Sequence, residues 1–251
     1  MASYQDIRKQ REEQQHSRAM RSSFDPTLKT IARIKTDFPS KFGIPRQSGL
    51  VEALKAVIVF EPEYRNPDAL RGLEEFSHIW LLWEFSESVR DTWSPMVKPP
   101  RLGGNKRMGV FATRSPFRPN PIGLSCVRLE GIELDSELGP LLYVAGADLM
   151  DHTPIYDIKP YLPYTDCRPE AAGGFAEPLK DYALAVEFPE ELLHILPEEQ
   201  REAALGVLAC DPRPSYQKDP MRVYGVEFAG YDIRFTVKHN VLTVCELIPL
   251  S

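Results

Sequence analysis

The segment that most constrains this chain is GVFATRSPFRPNPIGLSCVRL, Gly109 to Leu129. Pro116, Pro119 and Pro121 crowd into it. Each proline fixes its own φ at about −65° and drives the residue before it (Ser115, Arg118, Asn120) out of the helical region. No helix passes through such a stretch. Apolar runs flank it: Met108–Ala112 reads as a strand end, and Leu124–Leu129 keeps an apolar face near period two. The segment is therefore a stiff loop between strands, and it holds out Arg114, Arg118 and Asn120 at little entropic cost. Planar guanidiniums on a rigid loop suit a carboxylate or phosphate, which each can grip with two parallel hydrogen bonds. The alternative is a surface turn whose arginines are merely solvated; the density of prolines and arginines favours a functional loop.

Charge points the same way. A net charge of −6 argues against a generic nucleic-acid binder. Yet Pro95 to Leu129 contains no Asp or Glu, while it carries Lys98, Arg101, Lys106, Arg107, Arg114, Arg118 and Arg128. An acid-free basic block in an acidic protein is a candidate footprint for a polyanion, or else a solvated basic face. With 251 residues the chain can form one large domain or two smaller ones. It has no run of about 18 apolar residues, so no membrane span is expected. The polar N-terminus lacks the apolar core of a secretory signal. Cys126, Cys167, Cys210 and Cys245 lie far apart, and the five histidines form no metal-binding spacing. Free thiols, a cytoplasmic setting and no metal are the expectation.

Residues 1–25 read as a flexible extension. Strands are expected at Leu28–Ile34, Val51–Phe60, Phe76–Phe85, Val127–Leu134 and Leu141–Leu149. Between the first two lies FPSKFGIPRQSG, a punctuated loop in which Arg46 and Gln47 follow Pro45 and are its best ligand contacts, or else ordinary turn residues. Asn66-Pro67 predicts a capped helix to Glu75. His78, inside FSHIWLLWEF, reads as a core histidine. A second polar cluster runs from Asp148 to Tyr161. There Asp151 and Thr153 suit a ribose hydroxyl or an amine, or Asp151 forms an Asx-type turn; Asp157 and Lys159 can pair with each other. A linker over 169–180 separates residues 26–168 from a smaller module at 181–251. That module holds strands at Ala183–Phe188, Tyr224–Phe228, Tyr231–Lys238 and Val241–Leu247, with helical patterning over Glu190–Leu208 that restarts at Pro197. No Walker motif occurs and no GxGxxG follows a strand; the short-strand, turn-rich pattern makes the fold class mainly β, an antiparallel β-barrel or sandwich rather than a Rossmann sheet, followed by a smaller α+β domain.

Taken in order, PRQSGLVEA, RGLEEFSHIWLLWEF, PPRLGGNKRMGVFATRSPFRPNPIGLS, DLMDHTPIYDIKPYLP and LACDPRPSYQK closely resemble the TrmO (TsaA-like) family. The resemblance covers about Thr30 to Pro249. It implies an antiparallel barrel that binds S-adenosylmethionine near a two-fold homodimer interface, followed by a domain associated with tRNA. It further implies methylation of N6 of threonylcarbamoyladenosine at position 37, beside the anticodon. Carried over by motif, the cofactor contacts are Pro45, Arg46, Gln47, Arg114, Leu124, Asp151, His152, Thr153 and Pro154. The family usually shows glycine where this chain has His152, a strained choice if φ is positive there. Lys106 and Arg107, with Asp211, Arg213 and Tyr216 of the DPRPSY element, are expected to meet the tRNA. Arg118 and Asn120 are assigned to orienting the modified base, and Asp157, or water, to acting as general base. Methyl transfer from a sulfonium needs no metal; holding the acceptor about 3 to 3.5 Å from the methyl carbon supplies much of the rate. The alternatives are a non-catalytic RNA-binding module, which binds no cofactor, and a methyltransferase of this family with another acceptor.

Overall fold

A computed structural model describes residues 28–89, 92–99, 106–213 and 219–250. The expected extension over 1–25, the Gly103-Gly104 pair and Tyr216 lie outside the described residues. Six strands close an antiparallel barrel: β1 (Ala32–Lys35), β2 (Lys55–Phe60), β3 (His78–Glu84), β6 (Ile122–Glu133), β7 (Leu141–Ala145) and β8 (Pro154–Pro160). Their order around the barrel is β1-β2-β7-β6-β3-β8. Two short strands, β4 (Met96–Val97) and β5 (Met108–Gly109), form a separate ribbon. The barrel interior follows from period-two alternation: Ile79, Leu81 and Trp83 of β3 point inward and are buried with Ile34, Ile58, Val127, Leu142, Val144 and Ile155. Trp80 and Leu82 alternate onto the outer face and are half-buried.

The remaining strands, β9 (Ala185–Glu187), β10 (Tyr224–Phe228), β11 (Tyr231–Lys238) and β12 (Val241–Pro249), make a second sheet ordered β10-β11-β12-β9. Helical turns precede and cover it: α1 (Pro163–Asp166), α2 (Glu190–Leu193) and α3 (Glu198–Ala209). The break between α2 and α3 falls at Pro197, as the sequence predicts. Ala203, Ala204, Val207 and Leu208 of α3 pack on Val226, Phe228, Ile233, Phe235, Leu242 and Val244. No helix among the described residues is long and apolar enough to cross a membrane.

This second core is not made by the C-terminal residues alone. Phe38, Val51 and Leu54, from the segment joining β1 to β2, are buried in it. Gly43 in that segment has φ 91°, and a Cβ there would lie 2.1 Å from Val226 Cγ2. Gln200 Nε2 donates to Asp37 Oδ1 at 3.1 Å, and Ala229 N–H donates to the Asp37 carbonyl at 3.1 Å.

Several element boundaries differ from the sequence expectation. The helix expected at 67–75 is two 3-10 turns, Pro67–Leu70 and Leu73–Glu75, split where Arg71 turns extended and Gly72 takes φ 86°. The Asn66 cap is present and accepts from Asp68 N–H. The strand expected from Val51 begins at Lys55, because residues 51–54 curl to carry Val51 and Leu54 into the second core. Leu124–Leu129 and Val127–Leu134 are one strand, β6, bulged between Leu129 and Gly131. His78 is half-buried at the start of β3, with its Nδ1 2.9 Å from Ser77 Oγ, rather than inside the core.

Candidate active site

Two loops meet over one mouth of the barrel. The proline-rich loop between β5 and β6 is held by its own short side chains: Thr113 Oγ1 donates to the Val110 carbonyl at 2.9 Å and accepts from Ser115 N–H at 3.3 Å. Ser115 Oγ in turn accepts from Phe117 N–H at 3.3 Å. Arg118 folds back, its Nη1 donating to the Thr113 carbonyl at 3.2 Å. The prolines remove backbone donors, and these hydroxyls replace the lost ladder. The facing loop, between β1 and β2, carries Pro45, Arg46 and Gln47. Arg114 Nη1 donates to Gln47 Oε1 and ties the two loops together; Gln47 Nε2 donates to the Arg46 carbonyl.

Between the loops lies a cleft of about 600 Å³, within the range of small-molecule sites. Ile44, Phe85, Ile122 and Leu124 give it apolar wall; Lys41, Arg46, Arg114 and Arg118 bring positive charge, and Glu84, Glu87 and Asp148 negative. The floor is braced through the barrel: Trp83 Nε1 donates to Ser125 Oγ at 2.9 Å, and Ser125 Oγ donates to Asp148 Oδ1 at 2.5 Å. Burial pushes the Asp148 carboxyl above its ordinary range, against the hydrogen bond from Ser125 and the attraction of Arg114. Tyr156 is pushed up to about 12 by burial and by its bond to Glu84, so it stays protonated and donates to that carboxylate.

Of the residues singled out from sequence, Pro45, Arg46, Gln47, Arg114, Arg118, Asn120, Leu124 and Thr153 all line this cleft. Asp151, His152 and Pro154 do not. Asp151 is neither a cleft edge nor an Asx turn: its Oδ1 accepts from Thr36 N–H at 3.0 Å. His152 takes φ 60°, the positive value that glycine would relieve, and its side chain is 70% exposed. Pro154 is buried in β8. Asp157 stands outside the cleft, paired with Lys159 at 2.8 Å on the outer part of β8; the base role assigned to it has no support from its placement. Lys106 and Arg107 are exposed just before β5.

Asp211 and Arg213 are committed to each other. Arg213 Nε donates to Asp211 Oδ1 at 2.8 Å and Nη2 to Oδ2 at 3.0 Å, with both side chains under 15% exposed. Tyr182 OH also donates to Asp211 Oδ2, at 2.8 Å. Burial by itself would raise the Asp211 carboxyl, but these bonds outweigh it and hold it below its ordinary range. The pair is a clamp at the end of α3, not a pair of side chains reaching outward. Sequence reasoning did not single out Asp148, Glu84 or Ser125. Ser125 is a buried polar residue in the apolar alternation of β6, Glu84 ends β3 on its outer face, and Asp148 follows β7.

The fold is a closed antiparallel barrel, not a Rossmann sheet, with a two-loop cleft of mixed charge sized for a small molecule. Residues 33–167 match the tRNA-methyltransferase O N-terminal domain, and residues 181–250 match the TrmO C-terminal domain. The chain belongs to the tRNA-methyltransferase O family. It is 40% identical to tRNA (adenine(37)-N6)-methyltransferase of Escherichia coli (strain K12), over 91% of this chain and 99% of that one. It is 41% identical to a putative S-adenosylmethionine-dependent methyltransferase of Pseudomonas aeruginosa, over 83% of this chain and 91% of that one. A crystal structure of TrmO from P. aeruginosa superposes with a TM-score of 0.70 at 35% identity, covering 89% of this chain and 96% of that one.

Proposed function

We propose that the acceptor is N6 of an adenosine 37 that already carries a threonylcarbamoyl group, giving N6-methyl-threonylcarbamoyladenosine, and that the protein acts on the anticodon loop as a homodimer. The broader activity follows from the family: the chain is an S-adenosylmethionine-dependent tRNA (adenine(37)-N6)-methyltransferase. The observation that carries the assignment of the site is the Arg114–Gln47 contact, which joins the two motif-bearing loops over one cleft.

The cleft fits this cofactor. Its apolar wall suits an adenine face, and charges of both signs suit an amino-acid end beside a sulfonium. When bound, S-adenosylmethionine supplies a methyl group on a positively charged sulfur, open to in-line attack. Gln47 and Arg114 hold the two walls of the site in register. Leu124, 52% exposed at the rim, and Ile122 shield the apolar side. Arg118 spends Nη1 on its own loop and keeps its other guanidinium nitrogens for the threonyl carboxylate. Asn120, exposed beside it, offers both a donor and an acceptor to the base.

The tRNA approach is the basic ribbon: Lys98, Lys106 and Arg107 are exposed there, within the acid-free stretch. Arg213 acts on tRNA indirectly, through its paired hydrogen bonds to Asp211 at the end of α3. Beside the ribbon, Trp93 and Phe111 stack with ring centroids 6.0 Å apart and remain exposed together with Met96. A second copy covers this apolar surface in the homodimer reading.

The test is methyl transfer from labelled S-adenosylmethionine to two otherwise identical tRNA preparations, one carrying threonylcarbamoyladenosine at position 37 and one unmodified. Label is expected in the modified tRNA alone. Equal labelling of both would overturn the proposed acceptor.

A further inference from the structure

Asp148 lies just past β7, where the chain crosses close to the loop between β1 and β2: Gly49 N–H donates to the Gly146 carbonyl at 2.9 Å, and Gly146 N–H to the Leu54 carbonyl at 2.8 Å. This crossing sets Asp148 against the Ser48 backbone N–H, which hydrogen-bonds to it. Its carboxylate is half-buried and faces the cleft. Ser125 fixes its orientation, and Ser125 is itself fully buried and fixed by Trp83. A carboxylate that burial disfavours, yet that is locked in place by a two-bond chain, is costly unless something compensates it. Among the described residues it makes no ion pair, and the one cation acting on it is Arg114.

Arg114 and Asp148 therefore present opposite charges to the same space without neutralising each other. The chemical group that matches such a pair is an amino-acid zwitterion, whose ammonium and carboxylate are borne on one carbon. Resting on the cofactor reading above, we propose that Asp148 and Arg114 form a zwitterion clamp in which Asp148 receives the α-ammonium, and Arg114 the α-carboxylate, of the cofactor's methionine moiety. Asp148 is then a cofactor ligand that discriminates S-adenosylmethionine and its demethylated product from nucleosides lacking the amino-acid end. It does not read the sulfonium and it is not the base.

The test is calorimetric binding to the full-length protein of three compounds: S-adenosylmethionine, S-adenosylhomocysteine, and 5′-methylthioadenosine, a thioether nucleoside without the amino-acid end. Asp148→Asn is expected to weaken the first two alike, by about tenfold or more, as for loss of a hydrogen bond between charged groups. It should leave the thioether nucleoside unchanged. Loss confined to S-adenosylmethionine would mean that the carboxylate reads the sulfonium. Unaltered affinity for both sulfur compounds would mean that it is no cofactor ligand, and a parallel loss for all three would reduce its role to shaping the site. Each of these overturns the clamp. Wild-type protein that binds neither S-adenosylmethionine nor S-adenosylhomocysteine would refute the functional reading itself, and the clamp with it.

A wild-type measurement stands even if the variant fails to fold. Affinity for S-adenosylhomocysteine should fall as pH drops through the raised range of Asp148, while affinity for the thioether nucleoside stays level. The other charged groups facing the cleft are Lys41, Arg46, Glu84, Glu87, Arg114 and Arg118; Glu84→Gln and Glu87→Gln, which remove the other two carboxylates, should retain the fall. A fall abolished by either glutamine, or shared by the thioether nucleoside, would contradict the clamp.

Discussion

Single polar side chains decide where this protein is costly and where it is tuned. Asp37 is one. It sits between the barrel and the second core, accepting from Gln200 and facing Asp151 and Glu199. Burial, more than those like charges, raises its carboxyl above the ordinary 3.8. The native state thus holds this proton more tightly than the unfolded chain does, and stability is lost as pH rises from 3.8 through the raised value. Asp37→Asn keeps a carbonyl to accept from Gln200 and removes the charge. The variant should melt above wild type at pH 7, and the difference should shrink as pH falls toward 3.8; a lower melting temperature at pH 7 would show that the charge is needed. At the same scale lies the limit of what sequence could tell. Arg114, Gln47, Leu124 and Thr153 were legible because they sit in dense, distinctive motifs. Asp148 was not, because its partners Ser125 and Trp83 are brought to it by register between strands distant in sequence. The Asp157–Lys159 pair is legible from their spacing and is present, but spacing alone does not tell that the pair stands outside the cleft.

Elements behave as their flanking chemistry dictates, with exceptions where another core intervenes. The alternation in His78–Glu84 and the three prolines before Ile122 specify β3, the stiff loop and the start of β6 almost unaided. The segment between β1 and β2 reads as an ordinary punctuated loop, and no local pattern shows that it is pinned by the C-terminal sheet. That pinning has a consequence for binding. At Gly43, φ 91° disfavours any side chain, and a Cβ would collide with Val226. Gly43→Ala should therefore cost about 1–3 kcal/mol by overpacking. Because Pro45, Arg46 and Gln47 follow directly, it should also weaken S-adenosylhomocysteine binding severalfold, although Gly43 itself does not line the cleft. Thermal melting and calorimetry on the same variant check both effects. Full affinity with lowered stability would show that the loop's ligand residues are positioned by Arg114 alone.

For the molecule as a whole, short strands, turn residues and the absence of nucleotide-fold glycine motifs point to an antiparallel barrel or sandwich, and the family resemblance selects the closed barrel that is found. The shared core was not foreseeable. A linker near residues 169–180 suggests two beads on a string, but Phe38, Val51 and Leu54 fill the C-terminal core from the barrel side. Burying side chains of this size is worth about 1.5–3 kcal/mol each, so the C-terminal sheet and the segment between β1 and β2 are joined by packing as well as by chain. Under the proposed function, this packing links the C-terminal domain to the loop assigned to the cofactor. The claim on which everything else rests is that the two-loop cleft is the methyl-donor site. A crystal structure of the full-length protein with S-adenosylhomocysteine tests it most directly. The ligand is predicted between the two loops, touching Gln47, Arg114 and Leu124, with its amino-acid end at Asp148. A ligand seated instead outside the cleft, at the exposed turn of Asp151 and His152 or on the C-terminal sheet, would contradict the account.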